Sequence, residues 1–186
     1  CRGADMIGHD VQRMALTIAG AGNLDRRADE VLEQINLIIT VHALLHRRFA
    51  SETRSHGALT SQARRSEVAE GQEPFAIVLG CSDSRVPAEL VFDQGFGDLF
   101  VIRVAGNVVA PSQVGSVEFA AGKFGTRLVV VLGHSRCGAV EATLDALQQP
   151  SAPRARHLYS IVDRVRPSVE ALLATDLRHD PQALIR

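Results

Sequence analysis

The 186-residue sequence contains no tryptophan, one tyrosine and three cysteines. So few flat aromatic side chains exclude a stacking platform for single-stranded nucleic acid. Excess positive charge is missing too: 20 Lys and Arg stand against 21 Asp and Glu, a formal net charge of −1. Phosphate binding has no electrostatic footprint in such a balance, and no nucleic-acid partner is expected. No apolar run approaches the ~18 residues of a membrane helix. The nearest candidate, "LIITVHALL" at 37–45, is too short and carries His42. No membrane span is therefore expected. A secretory leader is not visible either, because Asp5, His9, Asp10 and Arg13 interrupt the start, and without an initiator Met the chain reads as a fragment or a processed form. The cysteines, Cys1, Cys81 and Cys137, are odd in number and do not suggest a disulfide framework. Thiols beside charged residues point instead to metal binding or catalysis in a reducing compartment, so a cytoplasmic location is expected.

What is present suits one globular domain, with 46% hydrophobic and 22% charged residues. Residues 9–20 and 24–49 read as helical, with Leu24, Ala28, Val31, Leu32 and Ile35 at helical spacing behind Asn23 or Asp25 as a cap. This gives an N-terminal helical arm over 1–50, packing on its own domain or on a partner subunit, ahead of a core over 51–186. Residues 50–73 are polar and carry the loop signals "SETRSHG" and "EGQEP". Three continuous apolar runs then read as buried strands: "FAIVLG" (75–80), "LFVIR" (99–103) and "RLVVVLG" (127–133). Helical segments follow at 112–125, ending on Gly125, and at 137–150, stopped by Pro150. A further one spans 156–175, with Pro167 as a kink or a restart. Buried strands alternating with helices predict an α/β fold with a mainly parallel central β-sheet flanked by helices.

In such sheets sites form beyond the carboxyl ends of the strands. Cys81 follows the first run directly, within "LGCSDSRVP", and "GHSRCG" (133–138) follows the third. The candidate metal ligands are Cys81, Asp83, His134 and Cys137. Thiolate, imidazole and carboxylate donors suit zinc better than magnesium or calcium, which take hard oxygen ligands. Each piece has a plainer reading, since Cys81 could be a small buried hydrophobe and Asp83–Arg85 a structural ion pair. A phosphatase-like loop with Cys81 as nucleophile fits poorly. Only three residues separate Cys81 from Arg85 where about five would ring a phosphate, and Asp83 would repel the anion.

Taken together, "CSDSRVPAELVFDQGFGDLFVIRVAGN" and "VVVLGHSRCGAV" resemble the β-class carbonic anhydrase family over about Gln72 to Ala142. The resemblance implies one Zn2+ per chain held by Cys81, His134 and Cys137. Asp83 and Arg85 become the family's catalytic dyad beside the metal, with Asp83 in some members able to bind the zinc itself. It also implies substrate contacts from Gln72, Phe100 and the Gly138 N–H. Phe119 takes a position that is Tyr in some members, and Val104 one that is often Asn. The bicarbonate-sensitive subgroup has a Trp where this chain has Val78, although Arg103 matches another part of that effector site. The usual C-terminal strand of the family is not found before Arg186. The implied activity is zinc-dependent reversible hydration of CO2 to bicarbonate and a proton, by attack of hydroxide generated at the metal. A homodimer or dimer of dimers is the implied assembly. Hydrolysis of carbonyl sulfide or carbon disulfide on the same scaffold, or a non-catalytic structural-zinc domain, are the alternatives. No proton shuttle is legible among the histidines.

Overall fold

The computed structural model describes residues 16–20 and 56–180. Among the described residues four strands form one sheet: β1 (Leu16–Gly20), β2 (Ala76–Gly80), β3 (Leu99–Arg103) and β4 (Leu128–Leu132), in the order β1-β4-β2-β3. β2 pairs in parallel with both β3 and β4, and β1 pairs antiparallel with β4. Six α-helices of the described residues accompany them: α1 (His56–Leu59), α2 (Gln62–Glu67), α3 (Ala88–Val91), α4 (Pro111–Phe124), α5 (Gly138–Gln148) and α6 (Tyr159–Leu173). None of the described helices is long and apolar enough to cross a membrane.

β2 is buried along its whole length because it lies between two strands and under helices on both faces. Alternation sends Val78, Val130 and Leu132 to one face, where they meet Ala88, Val91 and Phe92 of the α3 segment. Ile77, Leu79, Ile102 and Val129 go to the other face and pack on Ala120 of α4. A third cluster, Val108, Leu144, Val165 and Val169, joins α5 to α6. Each fully buried aliphatic side chain in these layers contributes about 1.5–3 kcal/mol of hydrophobic transfer free energy. α4 starts on Pro111, whose fixed φ suits a first helical turn, and ends on Gly125 in the left-handed region at φ 68°.

Three sequence expectations change. Residues 16–20, read as part of a helix over 9–20, form β1 instead. Thr17 and Ile18 are β-branched, and the open edge of β4 supplies a ladder that a five-residue stretch cannot signal on its own. The rest of the helical arm, including 24–49, and Cys1 lie outside the described residues. The polar stretch 50–73 is not all loop, since α1 and α2 fall within it. Ser61 caps α2 by accepting from the Arg64 N–H at 3.2 Å. Pro167, read as a kink or a restart, does not restart the last helix, and α6 runs through it from Tyr159 to Leu173.

Candidate metal centre

The register of the sheet brings the two motif loops together. Gly80 pairs with Leu132, so Cys81 and Gly133 leave the sheet side by side at its carboxyl edge. The β4 loop then runs through His134 and Ser135 to Arg136, a non-glycine residue in the left-handed region at φ 51°. That conformation is costly for an L-residue, by about 1 kcal/mol or more, and the surrounding contacts maintain it. It turns the chain so that Cys137, at the N-cap of α5, faces Cys81. The two Sγ atoms are 3.9 Å apart.

Cys81, His134 and Cys137 place one ligand atom each within 4.8 Å of one another, and both thiols are buried. Two thiolates on a tetrahedral zinc, each at about 2.3 Å, stand roughly 3.8 Å apart, so the sulfur spacing fits the ion. The histidine fits it as well. Its Nδ1 is 2.8 Å from the carbonyl of Ser135, which can only accept, so Nδ1 carries the proton and Nε2 keeps a bare lone pair. That Nε2 is buried in a side chain 6% exposed and has no hydrogen-bond partner. An orphaned acceptor in such a place costs about 1–3 kcal/mol, and a metal ion relieves it. Around the thiols, the Gly106 N–H points at Cys81 Sγ at 3.3 Å. Gly106 sits at φ 68° in the 3₁₀ turn Ala105–Asn107, and a Cβ there would come within 2.8 Å of the Ala139 Cβ. Cys137 itself sits at the N-terminus of α5, the positive end of the helix dipole.

Asp83 stands beside this group without joining it. Arg85 grips the carboxylate with a fork, Nε to Oδ1 at 2.9 Å and Nη2 to Oδ2 at 2.7 Å, and the Arg85 main-chain N–H adds a third bond to Oδ1 at 2.9 Å. The other Nη2 contact of Arg85 reaches the Arg136 carbonyl at 2.9 Å and ties the two loops together. Arg85's hydrogen bonds hold the Asp83 carboxyl well below the usual carboxylate range, against the opposing effect of burial. Asp83 Oδ2 is 4.0 Å from His134 Nε2. The carboxylate is thus close to the centre and engaged by its arginine.

Gly138 begins α5 directly after Cys137 and so lies at the same edge. Gln72 and Phe100 do not reach the centre within one chain. Pro74 is fixed at the opposite edge of the sheet, where its carbonyl accepts from the buried Thr126 hydroxyl at 2.7 Å. Seven residues of extended chain, roughly 20 Å, separate Pro74 from Cys81, and Gln72 precedes Pro74. Phe100 pairs in register with Ile77, about 13 Å back along β2 from Cys81. Its ring packs instead with Phe119 and Phe124, at centroid distances of 6.2 and 5.9 Å.

A Cys–His–Cys group with both thiols buried, at the carboxyl edge of a parallel sheet and with a carboxylate–guanidinium pair alongside, could hold a metal ion in an α/β protein, and its donor types suit zinc. The family model described as carbonic anhydrase matches residues 76–185. The chain belongs to the carbonic anhydrase family, in its β class. Over 106 residues it is 49% identical to a carbonic anhydrase of Mycolicibacterium smegmatis, covering 57% of this chain and 51% of that protein. The chain spans about half the length of the curated relatives from Mycolicibacterium smegmatis and Mycobacterium tuberculosis. Among solved structures, the β-carbonic anhydrase CafA of Aspergillus fumigatus is 29% identical with a TM-score of 0.56, over 66% of this chain and 62% of that one. One of two tetrameric β-carbonic anhydrases of Sordaria macrospora shares the fold at 24% identity and a TM-score of 0.55, over 84% and 72% of the two chains.

Proposed function

We propose that this chain binds one zinc ion through Cys81, His134 and Cys137 and carries out reversible hydration of CO2 to bicarbonate and a proton. The convergence of those three donors beside an Arg-held Asp83 carries the reading. Three protein donors and a carboxylate engaged elsewhere favour an open, catalytic centre over a closed structural one. Zinc, when bound, supplies Lewis acidity and makes water a nucleophile near neutral pH.

The chain's own residues supply orientation and charge. Arg85 keeps Asp83 ionised, so its carboxylate can only accept a hydrogen bond. A fixed acceptor beside the nucleophilic water sets the direction of its O–H bond and leaves its lone pair for CO2. The Gly138 N–H belongs to the first turn of α5, whose donors lack partners within the helix. It faces developing negative charge as the linear substrate becomes a bicarbonate anion.

Self-association into a homodimer or dimer of dimers is part of the same proposal. Gln72 and Phe100 can serve a substrate only in the centre of a second copy, given their distance from their own. Phe75 and Phe119, 53% and 55% exposed, offer an apolar surface on the Phe100 side of the sheet for such contact. Stopped-flow CO2 hydration, with zinc content and oligomeric state determined on the same sample, tests the reading. Hydration that scales with bound zinc supports it. A fully zinc-loaded chain that hydrates no CO2 refutes it, and hydrolysis of carbonyl sulfide by that sample would redirect it to the other substrate class.

A further inference from the structure

Arg103 is the last residue of β3 and pairs in register with Gly80. Alternation places it on the face of Val101. Its guanidinium meets the loop that carries Cys81 and Asp83. Nε donates to the Cys81 carbonyl at 2.9 Å, and Nη2 donates to the Asp83 carbonyl at 2.6 Å. Both acceptors are main-chain atoms on either side of Ser82.

A planar fork that engages two carbonyls fixes both peptide planes at once, which a single ammonium group cannot do. The main chain holds the same segment from the side of β3: the Ser82 N–H donates to Val104 O at 3.3 Å, and the Val104 N–H to Gly80 O at 3.1 Å. Asp83 is therefore gripped at both ends, its carbonyl by Arg103 and its carboxylate by Arg85. Cys81 is gripped likewise, its carbonyl by Arg103 and its sulfur by the Gly106 N–H. The hydrogen bonds of Arg103 go to carbonyls of the metal loop and not to a carboxylate, unlike those of Arg64, which bridges Glu67 and Asp98.

The geometry points to Arg103 as a positioning residue of the metal loop: its fork presets the direction of the Cys81 thiolate and of the Asp83 carboxylate. Its hydrogen bonds go to main-chain carbonyls of the loop and not to the donor atoms of the centre. This deepens the proposed function and rests on its metal centre.

The test compares the full chain with Arg103→Met, Arg103→Lys and Arg64→Met, each loaded with zinc and separately with cobalt(II). Zinc transfer to a chromogenic chelator gives the release rate, and cobalt absorption reports the ligand geometry. Arg103→Met should release zinc about 10–100-fold faster than the parent chain, the range seen when outer-shell partners of metal ligands are lost, with a shifted cobalt spectrum. Arg103→Lys should fall between. Arg64→Met should lower thermal stability yet release zinc at the parent rate. The inference is overturned if Arg103→Met keeps the parent release rate and spectrum, or if Arg64→Met accelerates release equally. Should Arg103→Met not fold, Arg103→Lys decides: faster release supports the role and a parent-like rate overturns it. A parent chain that takes up neither metal overturns the centre itself, a result distinct from an Arg103 variant that behaves like a metal-loaded parent.

Discussion

Replacing Asp83 by Asn keeps the outline of the side chain and removes its charge. The carboxylate accepts three hydrogen bonds from Arg85, two at Oδ1 and one at Oδ2. An amide oxygen can keep the two at Oδ1. Its NH2 group would face Arg85 Nη2, donor against donor, and the 2.7 Å bond would be lost. A charge-assisted bond of that kind is worth about 1.5–3 kcal/mol when shielded. Here the Arg85 side chain is 56% exposed and that of Asp83 19%, so solvent screening reduces the cost to about 1 kcal/mol. In a domain of this size that moves Tm by only ~2–4 °C. The functional cost is far larger, because an amide NH2 donates where the carboxylate could only accept, and the attacking water loses its orientation. A loss of about 100-fold in CO2 hydration is expected, at the lower end of what positioned proton acceptors contribute. Stopped-flow hydration with a pH indicator, zinc content per chain and a thermal melt on one preparation separate the two effects. A fully zinc-loaded Asp83→Asn variant that hydrates CO2 at the parent rate would refute the role given to Asp83.

Ile77 is 0% exposed in the layer between sheet and α4, so Ile77→Ala should cost about 2–5 kcal/mol in urea denaturation; a change under 1 kcal/mol would contradict that packing. Gly106→Ala combines a left-handed φ with a Cβ 2.8 Å from Ala139, and should lose about 1–3 kcal/mol and release zinc faster, because the N–H on Cys81 Sγ shifts. Parent-like values for both would show that the turn tolerates a side chain. Acid should expose the Asp83–Arg85 pair: the folded carboxyl lies below its unfolded value of ~3.9, so its contribution is present above that pH and is lost as pH falls further toward the folded value. The stability gap between the parent chain and Asp83→Asn should accordingly shrink below about pH 4. A gap that is flat or widens on acidification would contradict the pairing.

The parallel sheet was legible because its three strands are continuous apolar runs, and such runs show their limits plainly. The observed β2, β3 and β4 lie within the runs read at 75–80, 99–103 and 127–133. Gly125 and Pro150 likewise bounded the helices, because a left-handed cap and a missing N–H leave local marks. β1 was not legible, since five residues carry no period and the partner that makes them a strand is more than a hundred residues away. Cys81, His134 and Cys137 stood out by residue type after strand ends. Their outer partners did not: Gly106 and Arg103 act through a main-chain N–H and on main-chain carbonyls. Arg103 was visible only as a match to an effector site, and its grip on the metal loop depends on the β2–β3 register. Gln72 and Phe100 were suggested by resemblance, and the sheet register sets both well away from the centre of their own chain.

Zinc-edge X-ray absorption on the full chain, purified without added chelator, tests the central claim most directly. Cys81, His134 and Cys137 as ligands predict about two sulfur scatterers at ~2.3 Å and one imidazole nitrogen at ~2.0–2.1 Å, with one further light atom completing the tetrahedron. A chain that binds no zinc, or a bound zinc whose shell contains no sulfur, would contradict the account.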